Sequence, residues 1–344
     1  VADALLVREL AEQPAAVERV LHEQREAVAR AARLARAAEI QAVMIAARGT
    51  SDNVARYAQH VLGRHCRLPV SLATPSLTTL YDAMPVLQRT LVVGISQSGQ
   101  SPDVTAVVEA ARAQRQPTLA ITNDGYSPLA AAADVTIDIC AGSERSVAAT
   151  KTYTASLAAI AALVAELAKR DDLDAELERV PDAMREQLGA GVEGALDVLA
   201  GAERCAVAGR GPNYATAFEA ALKIKELTGI AAEPHSSADL MHGPVAVLGP
   251  HSPLLAIAVA GPSFASVADA ARAAAQRGAR CLALTDSHVA FEPGAHVVRL
   301  VAVPEWLSPL VAILPAQMLA VDVAAERGVA IDEPFGLSKV TRTV

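Results

Sequence analysis

The same order of short motifs occurs twice in this chain. Ala47-Arg48-Gly49 has a counterpart in Gly209-Arg210-Gly211, and LVVGISQSG (91–99) in LLAIAVAG (254–261). EAAR (109–112) is matched by DAAR (269–272), and AITND (120–124) by ALTDS (283–287). Each match is short, but all keep one order and one spacing of about 160 residues. The chain therefore reads as two copies of one folding unit. Within each copy, short apolar stretches end in small-residue turns and lead into helical stretches. QAVMIAARG (41–49), LVVGIS (91–96), PTLAIT (117–122) and VTIDI (135–139) are expected strands. A helix is expected from about Pro102, and a long apolar one over 153–169. This alternation is the pattern of a parallel sheet with helices on both faces, an α/β fold. The composition agrees: 52% of residues are hydrophobic, chiefly small aliphatics, and only 3% are aromatic.

The repeat also sets the expected boundaries. Residues 1–38 are an N-terminal helical segment, with helix over 4–39 broken near Pro14. The first α/β unit is expected over 39–180, the second over 195–330, and a short tail over 331–344. The polar stretch VPDAMREQLGAGVEG (180–194) carries proline and glycine and is expected to be the linker. The formal charge of −8 argues against a nucleic-acid-binding surface. Cys66, Cys140, Cys205 and Cys281 lie far apart, without a CxxC pair or zinc spacing. They are expected to be buried, reduced thiols, and neither a metal nor a cofactor is indicated. No uncharged apolar run reaches about 18 residues. The start VADALLVRELAEQ lacks a signal-peptide pattern. No membrane contact and a cytoplasmic location are expected.

The two copies differ at one loop. Ser96-Gln97-Ser98-Gly99-Gln100-Ser101 carries three hydroxyls, whereas the second copy has Ala258, Ala260 and Ser263 at the matching positions. In an open parallel sheet, ligands bind at the carboxyl ends of the strands. A loop that opens a helix there offers uncommitted N–H groups and a partial positive charge. Gly99 lets the backbone approach an anion, and the hydroxyls add donors. Arg48-Gly49-Thr50-Ser51, ending a neighbouring strand, offers more. Taken alone, the composition suits a turn that merely caps a helix equally well. The loop is neither a Walker loop nor a GxGxxG fingerprint, so nucleotide binding is not indicated.

In the second copy, Glu219, Lys223 and Glu226 fall at i, i+4 and i+7 of a helix expected to end near Gly229. They share one face, and Lys225 points elsewhere. A solvated charge stripe has the same spacing. His242, in LMHGPVAV, precedes a Gly-Pro turn, and Lys339 lies in the polar tail.

Six motifs together resemble the tandem sugar isomerase (SIS) family. They are GTSDN (49–53), ISQSGQSPD (95–103), RSVAATKTYTASL (145–157), GRGPNYATAFEAALKIKEL (209–227), EPHSSADLMHGPVAVL (233–248) and FGLSKVTRTV (335–344). The isomerase half of glucosamine-6-phosphate synthase is the best-known relative. The resemblance implies two tandem doubly wound, flavodoxin-like units, each a mostly parallel sheet flanked by helices. Arg48 before Gly-Thr-Ser-Asp, the SPD after SQSGQ and the GLSKVTRTV end look more like the SIS-type glucosamine-6-phosphate deaminases. The synthase has cysteine at the Arg48 position and a Glu-Thr pair at Gln100-Ser101. With its first cysteine at Cys66, the chain is expected to lack the synthase's glutaminase part.

The same resemblance implies roles. Ser96, Gln97, Ser98 and Ser101 match the phosphate loop. Thr50, Ser51 and the Val147-Ala148 segment match the sugar site, with Arg48, Gly49 and Ser338 beside them. Ser338 stands where the synthase has alanine. Glu226 is the expected proton shuttle between C1 and C2, and His242 the residue that opens the sugar ring. Lys339 polarises C2 or forms a transient imine. Glu219 and Lys223 complete the catalytic set. The implied reaction converts glucosamine 6-phosphate and water to fructose 6-phosphate and ammonia. An aldose–ketose isomerase or a fructosamine-6-phosphate deglycase shares the same phosphate loop. A non-catalytic phosphosugar sensor is disfavoured by the presence of Glu226 and His242. A homodimer is implied, with His242 entering from the neighbouring subunit and the chemistry lying where the two copies of the unit meet.

Overall fold

The structure, a computed structural model, describes residues 4–288, 291, 294–332, 336 and 339. Its strands form two five-stranded sheets. The first contains β1 (Ala42–Ala46), β2 (Val70–Leu72), β3 (Thr90–Ile95), β4 (Thr118–Thr122) and β5 (Val135–Asp138), in the order β2-β1-β3-β4-β5. The second contains β6 (Arg204–Gly209), β7 (Ala231–Ser236), β8 (Leu254–Ile257), β9 (Cys281–Thr285) and β10 (His296–Arg299), in the order β10-β9-β8-β6-β7. Read from β7, the second order repeats the first strand for strand. Every pairing is parallel. The sequence repeat is thus a repeat of topology, and strand order reverses between β1 and β3 and between β6 and β8.

The chain divides into two compact units that interleave along the sequence. One holds the first sheet, from the described residues of 12–145 and 151–179 with Lys339. The other holds the second sheet, from those of 4–11, 146–150 and 180–336. In the second-sheet unit, Asp332 accepts from the N–H groups of Leu5 and Leu6, both at 2.9 Å. That carboxylate caps the first helix, Leu5–Ala11.

Central strands are buried along their whole length: β3, β4, β8 and β9 expose none of their residues. Such strands read as unbroken apolar runs, which is why they were legible in the sequence. Three of the four edge strands, β2, β7 and β10, were not anticipated. They are only partly buried, and β7 contains Pro234, which an edge tolerates because one side of the strand makes no ladder bond. Two helical stretches, Lys151–Ala168 and Glu305–Glu326, are long and apolar enough to cross a membrane by length and composition alone. Here 78% and 89% of them are buried, so their apolarity serves packing.

Other expectations need correction. The N-terminal helix breaks at Glu12 and Gln24, giving helices Leu5–Ala11, Gln13–Glu23 and Arg25–Ala37. Pro14 stands second in its helix, where a missing N–H has no partner to lose. The stretch expected as a linker contains the helix Val180–Ala190, which buries Val180, Pro181, Met184 and Gln187. Of the cysteines, Cys205 and Cys281 are buried, but Cys66 and Cys140 are only half-buried. Burial pushes the Cys205 thiol up to about 12.

Gly209 ends β6 beneath the first turn of helix Asn213–Thr228. A Cβ there would lie 2.1 Å from the Asn213 carbonyl oxygen, a backbone atom that cannot swing away. Gly209→Ala is expected to destabilise the fold by about 1–3 kcal/mol, seen as a lower urea midpoint at unchanged slope. Gly189→Ala, in a helix with open space around it, is expected to be neutral or stabilising.

Candidate functional site

The loop 96–101 leaves the buried strand β3 and opens the helix Pro102–Ala113. At Gly99 the backbone is left-handed (φ 61°), and a Cβ would lie 2.0 Å from the Ser127 hydroxyl. Only glycine fits there. Ser101 holds the capping position of the helix, yet its side chain makes no capping bond. Its hydroxyl instead lies 3.1 Å from that of Ser96. Ser98 Oγ accepts from the Gln100 N–H at 3.2 Å. The N–H groups of Gln97, Ser98 and Ser101 have no partner among the described residues. Uncommitted donors converging at a helix N-terminus favour an anion over a simple cap.

The neighbouring loop lies level with this one. Ala46 of β1 pairs with Gly94 of β3, so Arg48 and Ser96 each follow their paired residue by two positions. Gly49 (φ 54°) precedes helix Thr50–Val61, which Thr50 and Ser51 open, both half-buried. Arg48 donates through Nε to Asp103 Oδ2 at 2.7 Å.

The second sheet supplies an internal control. The positions matching Ser98 and Ser101 are Ala260 and Ser263. Ala260 donates its N–H to Asp286 Oδ1 at 2.6 Å, and Ser263 its N–H to Glu305 Oε1 at 3.1 Å. Gly261 lies so close that a Cβ would come within 2.9 Å of the Glu305 carboxyl carbon. In one copy, two matched amides hold carboxylates of the chain itself. In the other, the same two amides are uncommitted.

The second-sheet unit carries the charged helix Asn213–Thr228, closed by Gly229 in the left-handed conformation. Glu219, Lys223 and Glu226 do share a face, but that face is not solvated. The side chains of Glu219 and Lys223 are 0% and 1% exposed, and that of Glu226 is 22% exposed. Lys223 Nζ lies 2.5 Å from Glu226 Oε2 and 3.5 Å from Glu219 Oε1. In the same unit, Ala148 is buried and Val147 half-buried, in a segment held by the Ser146 N–H donating to Glu9 Oε2 at 3.2 Å.

His242 is exposed just after the short helix Ser237–Met241, which follows the carboxyl end of β7. Glu226 is in the last turn of a helix whose end leads to the amino end of β7. The unit thus brings Glu219, Lys223 and Glu226 together, and places His242 toward the opposite end of the sheet from Glu226.

Residues 38–166 and 198–327 each match the SIS domain family, one match per sheet. This chain belongs to that family. The glutamine–fructose-6-phosphate aminotransferase (isomerizing) of Gloeobacter violaceus is 34% identical over 317 residues, 88% of this chain and 52% of that protein. The chain spans about half the length of the curated relatives it matches. Among solved structures, a candidate phosphosugar isomerase from Silicibacter pomeroyi superposes with a TM-score of 0.88 at 35% identity, covering 95% of this chain and 99% of that one. The C-terminal domain of glucosamine-fructose-6-phosphate aminotransferase from Francisella tularensis also gives 0.88, at 26% identity, covering 96% and 98%.

One polar residue of the first SIS unit escaped the sequence reading. Glu144 has a fully buried side chain after β5. It accepts from the Thr152 N–H at 3.1 Å, the Thr152 hydroxyl at 2.6 Å and Lys339 Nζ at 2.8 Å. Its carboxylate thereby lies at the N-terminus of helix Lys151–Ala168, where the helix field favours a negative charge. Lys339, 20% exposed, is therefore no frayed solvated end. A single acid in the loop GSERS has no periodicity to mark it. Its only signal is its place just ahead of a long helix. Ser338 lies outside the described residues.

Lys223 neutralises two carboxylates in a buried setting. Lys223→Met is expected to destabilise the fold by about 3–5 kcal/mol, because the buried Glu219 carboxylate loses its ion-pair partner. Urea denaturation monitored by circular dichroism checks this.

Proposed function

We propose that this SIS protein is an enzyme acting at C1 and C2 of a phosphorylated sugar, and within that class a glucosamine-6-phosphate deaminase. The observation that carries the phosphate reading is the pair of amides at Ser98 and Ser101, whose counterparts in the second sheet hold carboxylates. Ser96, Gln97, Ser98 and Ser101 take the phosphate, Arg48 stands beside them, and Gly49, Thr50, Ser51, Val147, Ala148 and Ser338 contact the sugar. His242 opens the ring by moving a proton between the ring oxygen and the anomeric hydroxyl. Glu226 then takes the C2 proton of the open-chain aldehyde and returns a proton at C1. The amine carbon becomes an imine at C2, water adds, and ammonia leaves with fructose 6-phosphate. Glu219 and Lys223 fix Glu226, and the Lys339 ammonium polarises the carbonyl oxygen. The steps up to proton return at C1 also serve an aldose–ketose isomerase. The identity to a candidate phosphosugar isomerase over nearly its whole chain favours that second reading.

Ammonia release from glucosamine 6-phosphate separates the two. The deaminase reading expects release by the intact chain and a loss of about 10²–10⁴-fold in kcat for Glu226→Gln. Turnover of a ketose phosphate without ammonia from the amino sugar would select the isomerase.

A homodimer with His242 acting on the other subunit's substrate agrees with the placement of His242 and Glu226 toward opposite ends of one sheet. The helix carrying Glu226 has 16 residues, hence a length of about 24 Å. Mixing inactive His242→Asn and Glu226→Gln proteins should restore roughly a quarter of the activity if each site draws on both chains of a twofold dimer. No recovery would place both residues in one chain.

A further inference from the structure

The loop 96–101 contains no lysine or arginine, yet it is read as the seat of a phosphate dianion. The nearest fixed charge in its helix is unfavourable: Asp103 lies in the first turn of Pro102–Ala113. Arg56 in the adjacent helix pairs with Asp52 at 3.0 Å. Arg48 is the cation that remains, level with Ser96 across the β1–β3 register.

The geometry points to a division of labour in which Arg48 is the charge partner of the bound phosphate and Asp103 is the positioning residue that aims it. This rests on the phosphate-loop reading above. Asp103 is fixed at both oxygens. Its Oδ1 accepts from the Val104 N–H at 2.9 Å and its Oδ2 from Arg48 Nε at 2.7 Å, and its side chain is fully buried. Arg48 is held through Nε alone, and its side chain is 50% exposed. Both terminal nitrogens have no partner among the described residues. Because the guanidinium is planar, anchoring Nε fixes the direction of the outer N–H groups. A forked donor held in this way matches a phosphate oxygen pair better than a flexible ammonium does. The pair then serves as a charge relay in the electrostatic sense: a buried carboxylate orients a half-exposed cation toward an incoming anion.

The competing role for Arg48 is that of a mere counter-ion to the buried Asp103. A double-mutant cycle separates the two. Inorganic phosphate and glucosamine 6-phosphate are titrated calorimetrically into the intact chain, Arg48→Met, Asp103→Asn and the double variant, with thermal melts alongside. Arg48→Met is expected to weaken binding about 10- to 100-fold, as for a lost charge-assisted contact. Asp103→Asn is expected to weaken it by less when Arg48 is present, and to have no further effect when Arg48 is gone. Arg48→Met alone removes the ion-pair partner of a buried carboxylate, so the double variant decides even where the single one unfolds. Binding by the double variant equal to that of the intact chain overturns the inference and leaves the phosphate loop standing. No binding of either ligand by the intact chain overturns the phosphate-loop reading and the inference with it.

Discussion

A parallel sheet covered on both faces can offer polar groups only where its strands end. The central strands here expose nothing, so hydrogen bonds along them are fully internal. Chemistry is therefore confined to the loops beyond the carboxyl ends and to the helices that return. In an open parallel sheet, the reversal of strand order between β1 and β3 is the expected place for a ligand. The Ala46–Gly94 register sets Arg48 and the serine loop level with one another at that point. Gly99 follows from the same constraint. The turn must pass against Ser127, and no side chain fits between them.

The helix Asn213–Thr228 resolves the same constraint differently. It buries two ionisable side chains and half-buries a third, which costs far more than a solvated stripe would. Lys223 offsets that cost by serving two carboxylates, one wholly buried and one still reachable. An arrangement of this kind holds Glu226 in place, which is what the proposed proton shuttle between adjacent carbons requires. Glu144 and Lys339 show the same device in the other unit. There a helix N-terminus contributes the compensation that a second cation would otherwise supply.

Much of the fold was legible because its signals are repetitive. The motif spacing revealed two units, and the apolar runs gave the central strands. Edge strands β2, β7 and β10 were hidden because partial burial removes the apolar run that marks a strand. The helix Val180–Ala190 was hidden because proline, glycine and polar residues also write linkers, and only burial of Val180 and Met184 distinguishes the two. At the site, the serine loop and the spacing of Glu219, Lys223 and Glu226 were visible, but the burial of that charged face was not. Whether a charge stripe is solvated or buried depends on what packs over it, here the helix Ser308–Glu326. The ion pairs of Glu144 and Asp103 carried no signal in the sequence because their cationic partners, Lys339 and Arg48, lie far from them along the chain.

The self-filled loop of the second sheet bears on how duplicated units diverge. Ala260 and Ser263 already have their amide protons engaged by carboxylates of the chain itself, so those two groups need neither water nor a solute as partner. The matching amides of Ser98 and Ser101 have no such partner among the described residues, so water or a solute must supply it. One copy of the loop is thus closed by the chain itself, and the other is left open to the solution. Glu305 and Asp286 are the residues that make the difference between the two copies.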